Sequence, residues 1–336
     1  MRDQQELPHK MRAIDPELPG GPEVLAVVDR PVPLPGVGEV LIRVHAAGVN
    51  RPDVVQRQGH YPPPAGSTSI LGLEASGVVV ALGEGVGNVR IGDPVTALLP
   101  GGGYADYVVA NEKLCLPVPA GMHFLEAAAL PETYFTVWSN LFRVGGAKAG
   151  DTLLIHGGTS GIGVAAIDLG RVFGIMVIVT CGTDAKCRAA EKLGAALAIN
   201  YRSGDFAPRV REFTEGRGVD LVIDMVGGNY VGRNLVCLAE NGRHISIAFQ
   251  QGRATEIDLS LLMRKRLHLT GTMLRPRPLA EKAAIADDLR EKVWPHFAEG
   301  RLQARIDQIV PMENAASAHR RMEAGDHIGK LVLSMM

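Results

Sequence analysis

The stretch Leu153–Ile167, LLIHGGTSGIGVAAI, decides how the rest of the chain is read. An apolar run ends at His156, a glycine-rich turn occupies Gly157–Gly163, and an apolar helix pattern begins at once. A dinucleotide pyrophosphate needs this order. Small residues let the backbone come close, and a helix N-terminus offers unpaired N–H groups and a partial positive charge. The spacing is a variant of GxGxxG: with Gly158 as first glycine, the second position falls on Ser160 and the third on Gly163. Such a turn alone is weak, since tight strand–helix connections use glycine without binding anything.

The surroundings strengthen it. From Asp151, short apolar runs alternate with helix patterns. The runs are Thr152–His156, Met176–Thr180, Ala196–Asn200, Leu221–Asp224, His244–Ala248 and Leu267–Met273; helices start at Gly161 and Asp184 and lie near Asp205–Glu215 and Tyr230–Leu238. Strands alternating with helices predict a parallel, doubly wound sheet. Up to about residue 130 the texture is different, with short β-branched runs (Val40–Val44, Ala75–Leu82, Tyr104–Val109) between Gly/Pro turn signals. The chain closes with a long helix pattern at Leu279–Glu299, a strand at Ile306–Val310, a helix at Met312–Ala324 and a strand at Lys330–Leu333. The expected fold class is α/β: a β-rich domain (residues 1–134), a Rossmann domain (135–276) and a C-terminal segment (277–336) returning to the first domain.

Composition narrows the function classes. The 336 residues include 40 glycines, above the usual ~7%, with no low-complexity tract. A formal charge of −1 argues against nucleic-acid binding through bulk charge. Cys115, Cys181, Cys187 and Cys237 form no CxxC pair, which fits a reducing compartment and predicts a cytoplasmic protein. Met1–Lys10 is polar and charged, so no secretory segment is expected, and Asp168 and Arg171 interrupt the apolar run Ile162–Cys181.

The second Rossmann strand selects the dinucleotide. NAD sites place a carboxylate at its end to hold the ribose 2′-OH. Here the end is Cys181-Gly182, with Lys186 just beyond and Tyr201 and Arg202 after the third strand. That set favours NADPH over NADH, although Asp184 lies within reach and Lys186 also reads as a solvated first-turn helix residue. A zinc dehydrogenase of this build would carry Cys near Asn50 and His where Leu73 stands; both are missing, and His45, His60 and His156 form no ligand pair. The expectation is a protein without zinc.

These motifs together resemble the zinc-free medium-chain dehydrogenase/reductases, specifically the NADPH:quinone oxidoreductases. The branch of the p53-inducible quinone oxidoreductases is nearest, with zeta-crystallin-like proteins more distant. The resemblance runs from about Met11 to Leu333. It rests on PGGPEVL (Pro19–Leu25), NRPDVVQRQGHYPPP (Asn50–Pro64), ILGLEASG (Ile70–Gly77), ALLPGGGYADYV (Ala97–Val108), HGGTSGIGVAAI (His156–Ile167), EKLGA (Glu191–Ala195), GVDLVIDMVGG (Gly218–Gly228) and HIGKLVL (His327–Leu333). Met11 aligns with the usual family start, so Met1–Lys10 reads as an extension or a misassigned start.

The resemblance implies a GroES-like catalytic domain beside the Rossmann domain, with the active site in the cleft between them. It places Asn50 and Asp53 near the nicotinamide and Tyr61 at the substrate mouth. Ser160 matches a family serine that affects activity. It further implies cofactor contacts from Asn50, Thr136, Gly158, Thr159, Ser160, Gly161, Ile162, Gly163, Thr183, Lys186, Tyr201, Val226, Ile247, Met273 and Lys330. Asp184 replaces a neutral family residue, and Ile247-Ala248-Phe249 replaces a glycine-containing loop.

With no metal, chemistry rests on positioning and on the cofactor. NADPH would give hydride to an electron-poor acceptor such as a quinone. Asn50 and backbone N–H groups would stabilise negative charge on oxygen, and Tyr61 or solvent would supply the proton. Tyr61 also reads as packing on the prolines after it, and Asp53 as a turn or cap residue. Two rival functions stay open: reduction of an activated C=C bond, and NADPH binding with little catalysis, as in crystallin-type relatives. Leu267–Met273 is the expected Rossmann edge strand, and pairing with its twin in a homodimer would cover it.

Overall fold

The computed structural model describes residues 7–335. The chain divides into two units, Met1–Glu132 with Arg275–Met336, and Thr133–Leu274. Of the expected extension Met1–Lys10, residues 1–6 lie outside the described residues, and the first strand begins at Lys10.

In the first unit, β1 (Lys10–Ile14) and β2 (Val27–Pro31) form an antiparallel pair. There follow β3 (Glu39–Val49), α1 (Arg51–Arg57), β4 (Glu74–Leu82), β5 (Pro94–Leu98), β6 (Tyr107–Asn111), β7 (Cys115–Pro117), α2 (Phe124–Ala127) and α3 (Pro131–Trp138), whose first two residues belong here. The second unit runs β8 (Thr152–His156), α4 (Gly161–Phe173), β9 (Met176–Cys181), α5 (Asp184–Leu193), β10 (Leu197–Asn200), α6 (Phe206–Phe213), β11 (Val219–Asp224), α7 (Tyr230–Cys237), β12 (Leu238–Ser246), α8 (Leu259–Lys265) and β13 (His268–Gly271). The chain then returns to the first unit through α9 (Leu279–Asp288), α10 (Trp294–Ala298), β14 (Ile306–Pro311), α11 (Ala315–Ala324) and β15 (Lys330–Ser334).

The first unit's main sheet has the order β14-β15-β3-β4-β5-β7, with β6 also on β3. Alternating residues such as Val40, Ile42 and Val44 face its core together with Val79, Leu331 and Leu333. Two registers matter for the site. Leu331 pairs with Val49, so Lys330 begins β15 at the level of Asn50. Ala75 pairs with Ala47, which sets Glu74 beside the end of β3. The C-terminal strand is thus an integral, buried member of the N-terminal sheet.

The second unit is a wholly parallel sheet of order β10-β9-β8-β11-β12-β13. The α/β expectation, a GroES-like unit and a Rossmann sheet, holds. The strand order reverses between β8 and β11, and ligands of such sheets bind beyond the carboxyl ends at this switch point. β13 is the edge, and all four of its residues are exposed. Among the described residues no helix is long and apolar enough to cross a membrane.

Some expected elements shift. Tyr104 precedes β6 instead of starting it, because the turn at Gly101-Gly102 folds its side chain into the core, where it is fully buried. β12 ends at Ser246, and Ile247 N–H leaves the ladder to bond Asp224 O (2.7 Å). The long helix expected at Leu279–Glu299 is interrupted between α9 and α10 by a wider turn at Leu289–Val293, just before Pro295, which lacks an N–H.

A buried polar cluster holds the switch point. Asp224, at the end of β11, accepts Val226 N–H (2.7 Å) and Gly227 N–H (3.1 Å) on Oδ1, and Asn234 Nδ2 (3.1 Å) and His244 Nε2 (3.2 Å) on Oδ2. Asn234 therefore turns its oxygen to His156 Nε2 (2.8 Å), making that nitrogen the donor, while Thr180 Oγ1 lies at His156 Nδ1 (2.9 Å). Burial pushes the His156 pKa down to about 4, so the ring is neutral. For Asp224, burial acts to raise the pKa, but the His244 bond, the His156 ring and the two backbone N–H groups outweigh it, and the net shift is downward. Its stabilisation is therefore present above the ordinary Asp range and fades only as pH falls through the depressed value. Asp224→Ala strands four donors, three of them buried, and should cost about 3 kcal/mol or more in urea unfolding at pH 7; a loss below about 1 kcal/mol would remove the cluster from the stability account.

Candidate active site

In the second unit the glycine turn follows β8 directly. Side chains at Gly158 and Gly163 have no space: a Cβ at 158 would meet Val179 of β9, and one at 163 would meet the backbone of Gly157 and Gly158. These contacts hold α4 tight against the sheet. Ser160 is the N-cap of α4, and its Oγ accepts Gly163 N–H (3.1 Å). The hydroxyl expected to act in chemistry is thus tied to the helix end. Among the described residues, the N–H groups of Thr159, Gly161 and Ile162 have no protein acceptor, which leaves three donors at a helix N-terminus for an anion.

The other expected cofactor residues fall along the same carboxyl edge, each just after its strand. Thr183 caps α5, its Oγ1 accepting Lys186 N–H (3.2 Å). Asp184 turns away to Asn200, accepting Nδ2 at 2.7 Å. Tyr201 follows β10, and a Cβ built on Gly182 would lie 2.9 Å from its hydroxyl and 3.7 Å from Arg202 Nε. Val226 and Ile247 follow β11 and β12 and are fixed by Asp224, while Met273 follows β13. Thr136 stands apart on α3, its carbonyl bonded by Asn140 Nδ2 (2.8 Å).

In the first unit the expected residues gather around a buried ammonium. Lys330 Nζ donates to Glu74 Oε1 (2.6 Å), Asn50 Oδ1 (2.5 Å) and Val49 O (3.2 Å), so all three of its protons are used. Lys330, expected to contact a cofactor, is bonded here within its own unit. Asn50 Nδ2 donates to Glu74 Oε1 (2.8 Å), and Glu74 Oε2 accepts Glu132 N–H (2.8 Å). Glu74 is fully buried and ionically paired.

Asp53 is also fully buried, within the first turn of α1. Its Oδ2 accepts Asn50 N–H (2.8 Å) and the Tyr104 hydroxyl (3.2 Å), and its Oδ1 accepts Gly72 N–H (3.2 Å). Burial pushes its pKa up to about 6 against these donors and Lys330. Asp53 thus bonds the backbone of Asn50 at the start of α1 in a capping-box geometry. Behind Tyr104 stands His319 Nε2 (3.2 Å), and Arg57 Nη1 points at His319 Nδ1 (3.4 Å). A guanidinium only donates, so Nδ1 accepts and Nε2 carries the proton. The chain Arg57, His319, Tyr104, Asp53 therefore donates in one direction, anchored by Glu323 on Arg57 (2.6 Å).

Tyr61 is half-buried, with the Arg275 guanidinium 5.3 Å over its ring, and Arg275 itself is held by Pro100 O (Nε, 2.8 Å). Burial, with Glu132 nearby, raises the Tyr61 pKa above its ordinary value. Sequence reading missed Glu74, Tyr104, Glu132, Arg275 and His319. Only Glu74 carried a clear signal, a carboxylate inside the apolar run LGLEASGVVV.

Two family profiles match the chain, "Alcohol dehydrogenase GroES-like domain" over residues 36–120 and "Zinc-binding dehydrogenase" over 193–333. A solved mycobacterial quinone oxidoreductase is 31% identical with a TM-score of 0.83, covering 96% of this chain and 99% of that one. The Escherichia coli quinone oxidoreductase complexed with NADPH is 29% identical, with a TM-score of 0.84 over 97% and 99% of the two chains. The JamJ enoyl reductase is 26% identical, with a TM-score of 0.87 over 97% and 99%. Among curated relatives, a mycocerosic acid synthase-like polyketide synthase of Mycobacterium tuberculosis is 34% identical over 302 residues, 90% of this chain. The chain spans about 14% of the length of that relative. The chain belongs to the medium-chain dehydrogenase/reductase superfamily.

Lys330 holds three elements of the first unit by charge. Lys330→Met should leave Glu74 buried and unpaired and lower the unfolding free energy by about 3–5 kcal/mol. Urea denaturation at neutral pH measures it, and a change under about 1 kcal/mol would show that the pair is dispensable.

Proposed function

We propose that this oxidoreductase transfers hydride from NADPH to quinones or similar electron-poor acceptors without zinc. The observation that carries the reading is the Lys330 ammonium between Asn50 and Glu74. A positive charge and three committed donors fill the polar centre where the sequence comparison looked for metal ligands. Polarisation then comes from hydrogen-bonding groups alone, and an acceptor must bring its own electron deficiency. The quinone oxidoreductases among the similar solved structures support the same class.

The second unit supports the cofactor assignment. Its free N–H groups at Thr159, Gly161 and Ile162 suit a pyrophosphate, and Lys186, Tyr201 and Arg202 around Gly182 suit a 2′-phosphate. Asp184 is engaged with Asn200. A bound nicotinamide would supply hydride at its C4. In the first unit, Asn50, oriented by Glu74, Lys330 and Asp53, is the group to meet charge developing on the acceptor.

A second reading, reduction of an enoyl C=C bond, is favoured by the half-buried Tyr61 hydroxyl, by the enoyl reductase of like fold and by the polyketide synthase relatives. We also propose a homodimer through β13, an edge that carries exposed Leu269 and follows α8 with its exposed Leu259 and Met263.

Three measurements test these readings. NADPH consumption with 1,2-naphthoquinone should exceed that with an enoyl thioester; the reverse order selects the second reading. NADPH should bind at least about 10-fold tighter than NADH, and Lys186→Ala should erase most of that gap; equal affinities in the parent protein defeat the NADPH assignment. Light scattering should give twice the chain mass, and a monomer refutes the β13 pairing.

A further inference from the structure

We propose that Glu132 is the proton donor that completes reduction of the acceptor. The inference rests on the reductase reading above and names the acid that reading leaves open.

The geometry separates Glu132 from its neighbours. Three carboxyl groups, Asp53, Glu74 and Glu132, share the polar centre of the first unit. Asp53 and Glu74 have no exposure, and every one of their oxygens accepts at least one hydrogen bond. Lys330 has spent all three protons. Glu132 differs. Its backbone N–H is tied to Glu74, but among the described residues its half-buried carboxyl accepts no hydrogen bond. Of the three acids it alone has oxygens left for a substrate.

Its protonation follows from the crowd around it. Glu74 on β4 and Asp53 on α1 repel a third negative charge, while Lys330 on β15 is already paired with Glu74. Arg275, before α9, and Lys282, on α9, face it as cations, and Tyr61 faces it as a neutral phenol. Burial, then Glu74 and Asp53, push the carboxyl up to about 8 against Lys330 and Arg275. At pH 7 the group is a carboxylic acid. Tyr61, its own pKa raised above the ordinary 10, is the weaker acid of the two.

The step balances. Hydride from a reduced nicotinamide dinucleotide leaves a quinone as an oxyanion or an enoyl thioester as an enolate. The Glu132 O–H bond breaks, its proton forms the new O–H or C–H bond, and Glu132 remains as a carboxylate. Arg275 and Lys282 offset that charge until a solvent proton restores the acid.

The test pairs a spectrum with turnover. In wild-type protein the infrared band of a protonated carboxyl should be present at pH 7, fade as pH rises through about 8, and be absent from Glu132→Gln. NADPH-dependent turnover should fall over the same interval, because the acid form is the active one. Glu132→Gln should lose about 100-fold in kcat at pH 7 and lose that alkaline limb, and Glu132→Asp should restore the limb. A Glu132 ionised at pH 7, or a Gln variant within about threefold of wild type that keeps the limb, overturns the proposal while the reductase reading stands. A wild-type protein that shows the band but reduces no acceptor overturns both.

Discussion

The ammonium of Lys330 lies inside protein with an ion pair to Glu74 at 2.6 Å and a bond to Asn50 at 2.5 Å, joining residues 256 and 280 positions apart. Desolvating two charges costs several kcal/mol, and only close geometry with every proton and lone pair satisfied offsets it. This sets the architecture of the first unit. The chain must leave the second unit, build β14 and α11, and return β15 to β3 in one register, because a slip of one residue would turn Lys330 to the other face of the sheet. Glu74 and Asn50 in turn fix the start of β4 and the first turn of α1, and Glu74 anchors the start of α3 through Glu132 N–H.

The donor chain Arg57, His319, Tyr104, Asp53 supports the same point from behind. Because Arg57 cannot accept a proton, the His319 tautomer and the Tyr104 hydroxyl direction are both determined. Burial with Arg57 and Arg51 nearby pushes the His319 pKa down to about 3, so the ring stays neutral and the polarity of the chain is stable. Asp53 thereby serves as a fixed acceptor for Asn50 N–H, and Asn50 keeps one orientation. The second unit uses a comparable device, with Asp224 and its four donors pinning the turn beside the glycine loop.

Much of this was legible. The strand-turn-helix of Leu153–Ile167 has a periodicity and a glycine spacing that few folds satisfy, and the parallel sheet followed from the alternation after it. Residues matched by motif, among them Thr183, Tyr201, Val226 and Ile247, stand after consecutive parallel strands and so fall on one edge. What was not legible involves partners far apart in the chain. The bonds of Lys330 to Asn50 and Glu74 arise only once β15 is paired with β3, and Tyr104 reads as a strand residue until the Gly101-Gly102 turn is built. Glu132, following a proline at a helix start, looks like an ordinary first-turn acid.

By itself the sequence determined the α/β class, the glycine turn and the lack of Cys and His at the positions where zinc ligands were sought, since local spacing and residue chemistry carry those signals. Tertiary structure decided which polar groups are spent and which remain open. Burial, proton direction and charge crowding depend on strands and helices meeting across hundreds of residues. A polar side chain is a committed strut at Lys330, a cap at Ser160 or, at Glu132, a carboxyl that accepts no bond from the described residues, only according to what the fold places beside it.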